Sequence, residues 1–376
     1  MLNRTKLITQ VQDVSSQLFV SFASEHNIAR GVWKRIANDP TFASKAKAAD
    51  LPWRMPTWSG KLDETFEVEP GLMAYHAVSV DGSQIYPDRH QGTACYLINV
   101  GSVVISYGTS GFPVHLDSVP YVFAGEAAHG DLAISPEYVN CLRQEYEFAA
   151  GLELSKKIKE ERGADIPLVF LFDGSLIFWH LASKEEELKQ AFLSRYMALL
   201  QSLYVTQTLC AGYISLPKGK DLVNLIRAAL CEFDAASTEA HTLVDHVVDT
   251  TVADFFLRPF TRSIVFKSTS EICSEYPPHL QPHFFYLHVG DEIARIELPA
   301  WIAENDEYIT TIARVMVDQA LKGRGYPVVI AEAHEQAVVK GPDREFFYQL
   351  IAKCGIEQKQ RLTLSCKSMR KRGIGI

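Results

Sequence analysis

Apolar and polar residues follow one another in patterns that predict both helices and strands. In the first part of the chain, Leu7, Val11, Val14 and Leu18 recur every three or four positions, which predicts helix over residues 3–38 with one apolar stripe. Later, short continuous runs rich in Val, Phe and Leu predict strands that are buried on both faces. We therefore expect an α/β fold, in which helices flank a mixed sheet and a helical arm precedes it.

The same pattern divides the chain into regions. Residues 1–72 are predicted as the helical arm and a connection, residues 73–356 as the main domain with an insertion at about 234–300, and residues 357–376 as a basic tail. Gly101, between two apolar runs, predicts a hairpin. The predicted strands are 77–83, 94–100, 102–107, 114–123, 168–173, 208–215, 263–267, 284–289, 293–298 and 327–331. The predicted helices are 136–161, which opens with Ser135 as its N-cap, 183–206, with Ser183 and Glu186 as a capping box, 221–233, 244–257, 304–322 and 343–353.

Two of the predicted strands lead into the same three residues, Asp-Gly-Ser. The first motif begins at Asp81 and the second at Asp173. Glycine allows a sharp turn, so we expect each aspartate at the end of a buried strand, where α/β folds place their chemistry. Two carboxylates there are the usual beginning of a divalent-metal site. The alternative is that each aspartate only caps a turn, because Asp-Gly is a common turn pair.

Further candidate residues come from a helix and from a late apolar run. On a helical wheel of residues 136–161, Glu153 falls within the apolar face and Glu147 lies at its edge. A buried carboxylate is costly unless it is paired or metal-bound, so Glu153 is the preferred third ligand and Glu147 the fallback. Tyr326 begins the apolar run and His334 follows it. Both are candidates for the same site, or else structural residues that each satisfy one hydrogen bond.

Basic residues near residue 220 are candidates for phosphate binding. Lys218, Lys220 and Arg227 form a modest basic patch, for which a solvated helix face is the alternative. The sequence contains no G-x-x-x-x-G-K-[ST] motif, so we do not expect ATP hydrolysis by this chain.

Charge and hydropathy narrow the functional classes. The net charge of −8 and the pI near 5.9 argue against a protein that coats nucleic acid, although a nuclease with a local basic groove stays possible. No apolar run approaches the roughly 18–20 residues of a membrane helix. The first six residues are followed by mixed polar sequence and not by an apolar signal core. We expect a cytoplasmic protein without membrane association.

The order of these motifs resembles the NurA nuclease family. The resemblance rests on the two Asp-Gly-Ser strands, the acidic helix between them, the run Ala-Gly-Tyr-Ile-Ser-Leu-Pro-Lys, and the late run Tyr-Pro-Val-Val-Ile-Ala-Glu-Ala-His-Glu-Gln-Ala. It covers about residues 73–355. It implies an RNase H-like core, related to the Argonaute (PIWI) nuclease domain, that binds Mn²⁺ or Mg²⁺.

The resemblance also implies roles and partners. Asp81, Asp173 and His334 would be metal ligands or catalytic groups, Tyr326 would support them, and the helix glutamate at 153 or 147 would complete the site. The family degrades DNA by 5′-to-3′ exonuclease and single-strand endonuclease activity. Its members form homodimers that dock on a HerA-type hexameric ATPase. The alternative is a catalytically silent scaffold or DNA-binding adaptor, and a phosphatase-like hydrolase is a weaker third possibility.

Overall fold

The structure, a computed structural model, describes residues 2–18, 21–88, 95–109, 114–124, 134–163, 165–235, 237 and 240–358. The strands are β1 Thr57–Trp58, β2 Thr65–Glu67, β3 Tyr75–Ile85, β4 Tyr96–Tyr107, β5 His115–Phe123, β6 Leu168–Asp173, β7 Leu209–Ile214, β8 Thr261–Ser263, β9 Phe266–Lys267, β10 Pro282–His288 and β11 Ile293–Pro299. The α-helices are α1 Arg4–Leu18, α2 Ala23–Ala37, α3 Phe42–Ala48, α4 Pro136–Arg162, α5 Trp179–Ala182, α6 Glu186–Val205, α7 Asp221–Leu230, α8 Asp249–Ala253, α9 Ala300–Ala303, α10 Asp306–Lys322, α11 Val328–Ala337 and α12 Gly341–Glu357.

One mixed sheet contains all eleven described strands, which confirms the predicted mixed sheet flanked by helices. Its order is β1-β9-β10-β11-β7-β6-β3-β4-β5, and β2 joins it through β8. β3, β6 and β7 run parallel to one another, and the other pairs are antiparallel. The sheet crosses the predicted boundary at residue 72 through β1 and β2. It also takes in β10 and β11, so this part of the predicted insertion belongs to the sheet.

Helices α4 and α11 cover opposite faces of β3. Asp81 pairs with Gly101 of β4, so these two residues face the same side, and an added Cβ on Gly101 would lie 2.4 Å from the backbone nitrogen of Ala337 in α11. The neighbouring residue, Gly82, faces the other side, where an added Cβ would lie 2.5 Å from a carboxylate oxygen of Glu147 in α4. Consecutive residues of β3 therefore face different helices, Asp81 towards α11 and Gly82 towards α4.

Two large apolar cores form on the sheet. The first lies around β3, β4, β6 and β7, with α4, α6, α10 and α11 packed over them. The second lies under β9 and β10, where α2, α7 and α8 pack. None of the helices in the described part of the chain is both long and apolar enough to span a membrane.

Several predicted elements are confirmed and others are wrong. Ser135 is the N-cap of α4 and accepts a hydrogen bond from the backbone N–H of Tyr138 at 3.1 Å. The hairpin at Gly101 is wrong, because β4 runs through this residue without a break. The capping box at residue 183 is also wrong, since α6 begins at Glu186 after the N-cap Glu185. Smaller differences include the division of the first predicted helix into α1 and α2, the reduction of 244–257 to α8, and the division of the predicted strand 263–267 into β8 and β9.

The largest error concerns the apolar run 327–331, which was predicted to be a strand. It begins helix α11, whose buried residues are Val329, Ile330, Ala333 and Ala337. The spacing of these residues places them on one helical face. A short apolar run is compatible with either structure, and packing against the sheet decides in favour of the helix.

Candidate active site

The two aspartates of the Asp-Gly-Ser motifs lie side by side because of the register of the parallel strands. Val80 of β3 pairs with Phe172 of β6, the last pair of that ladder. Asp81 and Asp173 are the next residues on the two strands. Parallel partners in register project to the same face, so both carboxylates lie at one edge of the sheet on the α11 side.

The two glycines of the motifs have different roles. Gly174 has a φ of +120°, and at this residue the chain turns away from β6, as predicted. Gly82 does not end its strand, because β3 continues to Ile85. Instead, the missing side chain at Gly82 makes room for Glu147 and Arg143 of α4. The prediction of a sharp turn is therefore right for the second motif and wrong for the first.

Arg143 joins the first motif to the acidic helix. Its Nη1 donates to the carbonyl oxygen of Gly82 at 2.9 Å and to Oε1 of Glu147 at 2.7 Å. The same nitrogen lies 3.9 Å from Oδ1 of Asp81. The side chains of Asp81 and Glu147 are only 15% and 16% exposed, so one guanidinium lies between two poorly hydrated carboxylates.

The preference for Glu153 over Glu147 is corrected by the structure. The Glu153 side chain is 74% exposed and pairs with Lys156 at 3.1 Å, away from the aspartates. Gly151 explains the orientation of α4, because an added Cβ there would lie 1.7 Å from the Phe170 ring of β6. The face that carries Gly151 must therefore contact the sheet. Glu147, one turn earlier, shares that face, and Glu153 does not.

Helix α11 and the residues before it supply His334 and Tyr326. Tyr326 is predicted at the start of a strand and His334 just beyond its end. This is wrong, since Tyr326 precedes helix α11 and His334 lies within it. Nδ1 of His334 lies 2.8 Å from Oδ2 of Asp81, and the Tyr326 hydroxyl donates to Oδ1 of Asp173 at 2.9 Å. The Tyr326 ring meets Tyr213 of β7 edge-on, with centroids 5.4 Å apart. Each aspartate thus has one partner from this segment.

Hydrogen bonds fix the C-terminal end of α11 over the sheet. The carbonyl oxygen of Ala337 accepts from the Ser83 hydroxyl and from Nδ2 of Asn99, the latter at 2.8 Å. Carbonyls in the last turn of a helix lack partners within the helix. The serine of the first Asp-Gly-Ser motif therefore helps to hold the helix that carries His334.

The serine of the second motif is held by a buried glutamate. Oε2 of Glu297 in β11 accepts from the Ser175 hydroxyl at 2.7 Å and from the backbone N–H of Leu176 at 2.8 Å. Its Oε1 accepts from Nε of Arg295 at 2.8 Å. The Arg295 and Glu297 side chains are 5% and 1% exposed. This pair fixes the loop that directly follows Asp173.

Sequence reasoning missed Arg143 and Glu297. Arg143 lies four residues before Glu147, a spacing that places two side chains on the same side of a helix, and this was the available signal. Glu297 lies in an apolar run two residues after Arg295. Charges at alternate positions of a buried strand indicate a paired buried site.

Burial and mutual repulsion shape the electrostatics of the carboxylates. Burial raises the pKa of Glu147 to about 7; the charge of Arg143 opposes this shift, and repulsion from Asp81 and Asp173 adds to it. Burial also raises the pKa of Asp173, against the hydrogen bond from Tyr326. The pKa of Tyr326 is raised by burial and by the charge of Asp173. An added cation at this edge would relieve the repulsion.

The donor chemistry suits a hard divalent cation, but the side chains do not form a closed ligand shell. Carboxylate oxygens from Asp81, Glu147 and Asp173 are the donors that Mg²⁺ and Mn²⁺ prefer. Across the described ranges, no three or more His, Cys, Asp or Glu side chains are arranged to hold a metal ion. Arg143 is the cation that neutralises part of the charge in this structure.

The predicted basic patch is only partly available. Nζ of Lys220 donates to the carbonyl oxygen of Asp245 at 2.7 Å. Nη2 of Arg227 lies 2.9 Å from the Asp245 carboxylate, and the Arg227 side chain is only 14% exposed. These two residues hold the segment near Asp245, so the patch is reduced to the exposed Lys218. Its binding of phosphate stays a prediction.

Comparison with known proteins supports one family. The family model described as the NurA domain matches residues 76–339. No curated protein and no solved structure shows a significant match to the chain. The matched residues contain Asp81, Glu147, Asp173, Tyr326 and His334.

Proposed function

This chain belongs to the NurA family, a family of nucleases, and on that premise we propose that it is a metal-dependent deoxyribonuclease with an RNase H-like core. Asp81, Asp173 and Glu147 would hold Mn²⁺ or Mg²⁺, with His334 as a further ligand or proton acceptor. The observation that carries the proposal is the convergence of three carboxylates, among which burial, and then repulsion, raises the pKa of Glu147 to about 7. Such strongly perturbed groups cluster at functional sites.

Side chains around the carboxylates fit this chemistry. An ionised carboxylate accepts hydrogen bonds and cannot donate one. The contact with Asp81 therefore places the proton of a neutral His334 ring on Nδ1. Nε2 is then available to accept a proton or to bind a metal. The His334 side chain is 60% exposed, so a DNA strand can reach it. Tyr326 orients Asp173, and a bound divalent ion would supply Lewis acidity and an activated water.

The wider activity follows from the family. We propose 5′-to-3′ exonuclease and single-strand endonuclease action on DNA, by a homodimer that works with a HerA-type hexameric ATPase. The absence of an ATP-binding motif in this sequence supports a division of labour, in which the partner would drive translocation. The role would be DNA end processing in repair or in defence against foreign DNA.

The two helix glutamates provide a matched test. Linear and single-stranded DNA are incubated with purified wild type, Glu147→Gln and Glu153→Gln in Mn²⁺, with and without the ATPase partner. We expect Glu147→Gln, like Asp81→Ala and Asp173→Ala, to lose at least about a hundredfold in cleavage rate. Glu153→Gln should keep the wild-type rate, because its side chain points into solvent.

The scaffold alternative makes the opposite prediction. If wild-type protein leaves DNA intact in Mn²⁺ even with its partner present, the chain is a silent adaptor. The open ligand geometry and the close Arg143 are the observations that favour this alternative. Equal losses in Glu147→Gln and Glu153→Gln would also contradict the proposed site.

A further inference from the structure

A cavity of about 410 Å³ lies far from the candidate active site, at the opposite edge of the sheet. It opens between β1, β2, β8, β9 and β10 on one side and the start of α10 on the other. His283, which lines it, pairs with Leu298 at the end of β11. The candidate active site lies instead at the C-terminal ends of β6 and β7, and the last residue of β7, Ile214, pairs with Arg295 near the start of β11. The cavity and the active site are therefore at opposite ends of β11. The volume is within the range of about 300–1,000 Å³ that is usual for small-molecule sites.

A buried arginine forms the wall of this cavity. Arg262 is 7% exposed, and its guanidinium carbon lies 4.1 Å from the ring centroid of Phe66. Nη1 donates to the carbonyl oxygen of Ser263 at 3.0 Å. In the described part of the chain, Arg262 makes no ion pair within 4.0 Å, and the charge of Asp306 acts on it from a greater distance. Buried charges are usually paired, so a buried guanidinium that lines a cavity indicates an anionic ligand.

Other side chains in the same cavity extend the site. Register places Thr57, Lys267 and His283 in one row across three strands, on the face that Arg262 shares. Lys267 is exposed and adds a second positive charge. Nδ1 of His283 lies 3.0 Å from the carbonyl oxygen of Gln281, so it donates, and Nε2 is left as the other polar ring atom.

Aromatic and acidic side chains complete the lining. Phe66, which pairs with Arg262, offers aromatic surface, and Glu64 and Asp306 offer carboxylate oxygens. A ligand that fits all of these groups carries an anion for the arginine and lysine, a planar ring for the aromatic surface, and N–H donors for the carboxylates.

We propose that this cavity binds a nucleotide, with its phosphate at Arg262 and Lys267 and its base against the exposed side of Phe66. The phosphate would come either from a free mononucleotide or from the phosphorylated end of a DNA strand. The choice of a nucleotide among anionic ligands rests on the proposed nuclease function. The anion site is argued from Arg262 and Lys267 alone and does not depend on that function.

Calorimetric titration of the full chain tests the proposal. Asp81→Ala protein in EDTA is titrated with deoxyadenosine 5′-monophosphate, with inorganic phosphate, and with oligothymidylate that carries either a 5′-phosphate or a 5′-hydroxyl. We expect saturable binding of the mononucleotide that is tighter than binding of phosphate. If the 5′-phosphorylated strand binds more tightly than the 5′-hydroxyl strand, the phosphate bound in the cavity comes from a DNA strand end. If the phosphorylated strand does not bind, the ligand is the free nucleotide.

Substitutions locate the binding. In the same background, Arg262→Met should weaken it at least about tenfold, and Lys267→Ala, at an exposed position that does not threaten folding, about two- to fivefold. Arg258→Ala, an exposed arginine before β8, is the matched control and should change nothing. Absence of millimolar binding by every probe, equal affinity for phosphate and nucleotide, or unchanged binding in Lys267→Ala would overturn the proposal. DNA cleavage tests the nuclease function separately, because these titrations use inactive, metal-free protein.

Discussion

At the scale of single residues, the candidate site depends on which groups are buried together. Glu147 and Glu153 belong to the same helix and are chemically identical, but only Glu147 is held against the two aspartates. The helical wheel ranked them in the opposite order. The helical wheel was oriented by the apolar residues alone. In the structure, the close approach of Gly151 to Phe170 determines which face of α4 contacts the sheet.

The raised pKa of Glu147 predicts a pH dependence of stability. In metal-free protein the pKa is about 7, against 4.5 for the free side chain, so the folded state binds this proton more tightly than the unfolded state. Below about pH 4.5, Glu147 is protonated in both states, and the difference in pKa does not change the free energy of unfolding. Between about pH 4.5 and pH 7 it lowers the free energy of unfolding progressively. At 1.36 kcal/mol per pH unit, the upper limit is about 3 kcal/mol.

Glu147→Gln removes this proton linkage. Relative to wild type, we expect the variant to gain about 1–3 kcal/mol of unfolding free energy between pH 5 and pH 8, measured by urea unfolding in EDTA. The contact with Arg143 is stronger when Glu147 is ionised, and this contribution is already included in the raised pKa. A difference from wild type that is the same at pH 5 and pH 8 would refute the assignment.

Tyr326→Phe tests the hydrogen bond to Asp173. The hydroxyl lowers the pKa of Asp173, so its removal should raise that pKa and move the acidic limb of the rate profile to higher pH. We expect about a tenfold loss of cleavage at neutral pH and partial recovery at alkaline pH, measured as kcat/KM against pH. Tyr308→Phe, at a partly buried tyrosine of α10, is the control and should leave the profile unchanged.

At the scale of elements, the close approach of α11 to β4 brings His334 to Asp81. Gly101 makes that approach possible, because any side chain there would meet the backbone of Ala337. The sequence pattern assigned this glycine to a hairpin. Glycine is favoured both in a hairpin turn and where another backbone comes close, because it has no side chain. Only the position of the neighbouring helix distinguishes these two interpretations.

Gly101→Ala should therefore displace α11. We expect a loss of about 1–3 kcal/mol of unfolding free energy, together with reduced DNA cleavage as His334 moves away from Asp81. Gly31→Ala in α2 is the matched control, since an added Cβ there meets nothing within 4 Å. It should stabilise the protein by about 0.5–1 kcal/mol. Similar effects of the two substitutions on thermal unfolding would contradict the packing argument.

At the scale of the whole molecule, a buried ion pair connects the site to the rest of the sheet. Arg295 contacts Glu297 on one side and Asp221 at the start of α7 on the other, at 2.6 Å. Its guanidinium carbon also lies 3.6 Å from the ring centroid of Phe284, in the second core. The loop after Asp173 is thus connected, through Glu297 and Arg295, to α7 and to the second core.

Glu297→Gln should affect stability and activity together. A buried pair that loses one charged partner typically costs about 3–5 kcal/mol, and we expect a loss near the lower end because glutamine keeps one acceptor. Cleavage should fall as the loop after Asp173 loosens. Glu307→Gln, at an exposed position of α10, should change the unfolding free energy by no more than about 0.5 kcal/mol. Equal unfolding curves for the two variants would show that the pair has no such role.

The α/β class, the position of Asp81 and Asp173 after buried apolar runs, and the order of motifs that resembles the NurA family can all be predicted from the sequence. These features follow from local periodicity and from the apolar run that precedes each motif, and both can be read along the chain. The tertiary structure decided that residues 328–337 form a helix, that Gly82 makes room for α4, and that Glu147 is the buried glutamate. Each of these depends on contact between distant segments, where a neighbouring backbone or ring, and not the local pattern, sets the available space.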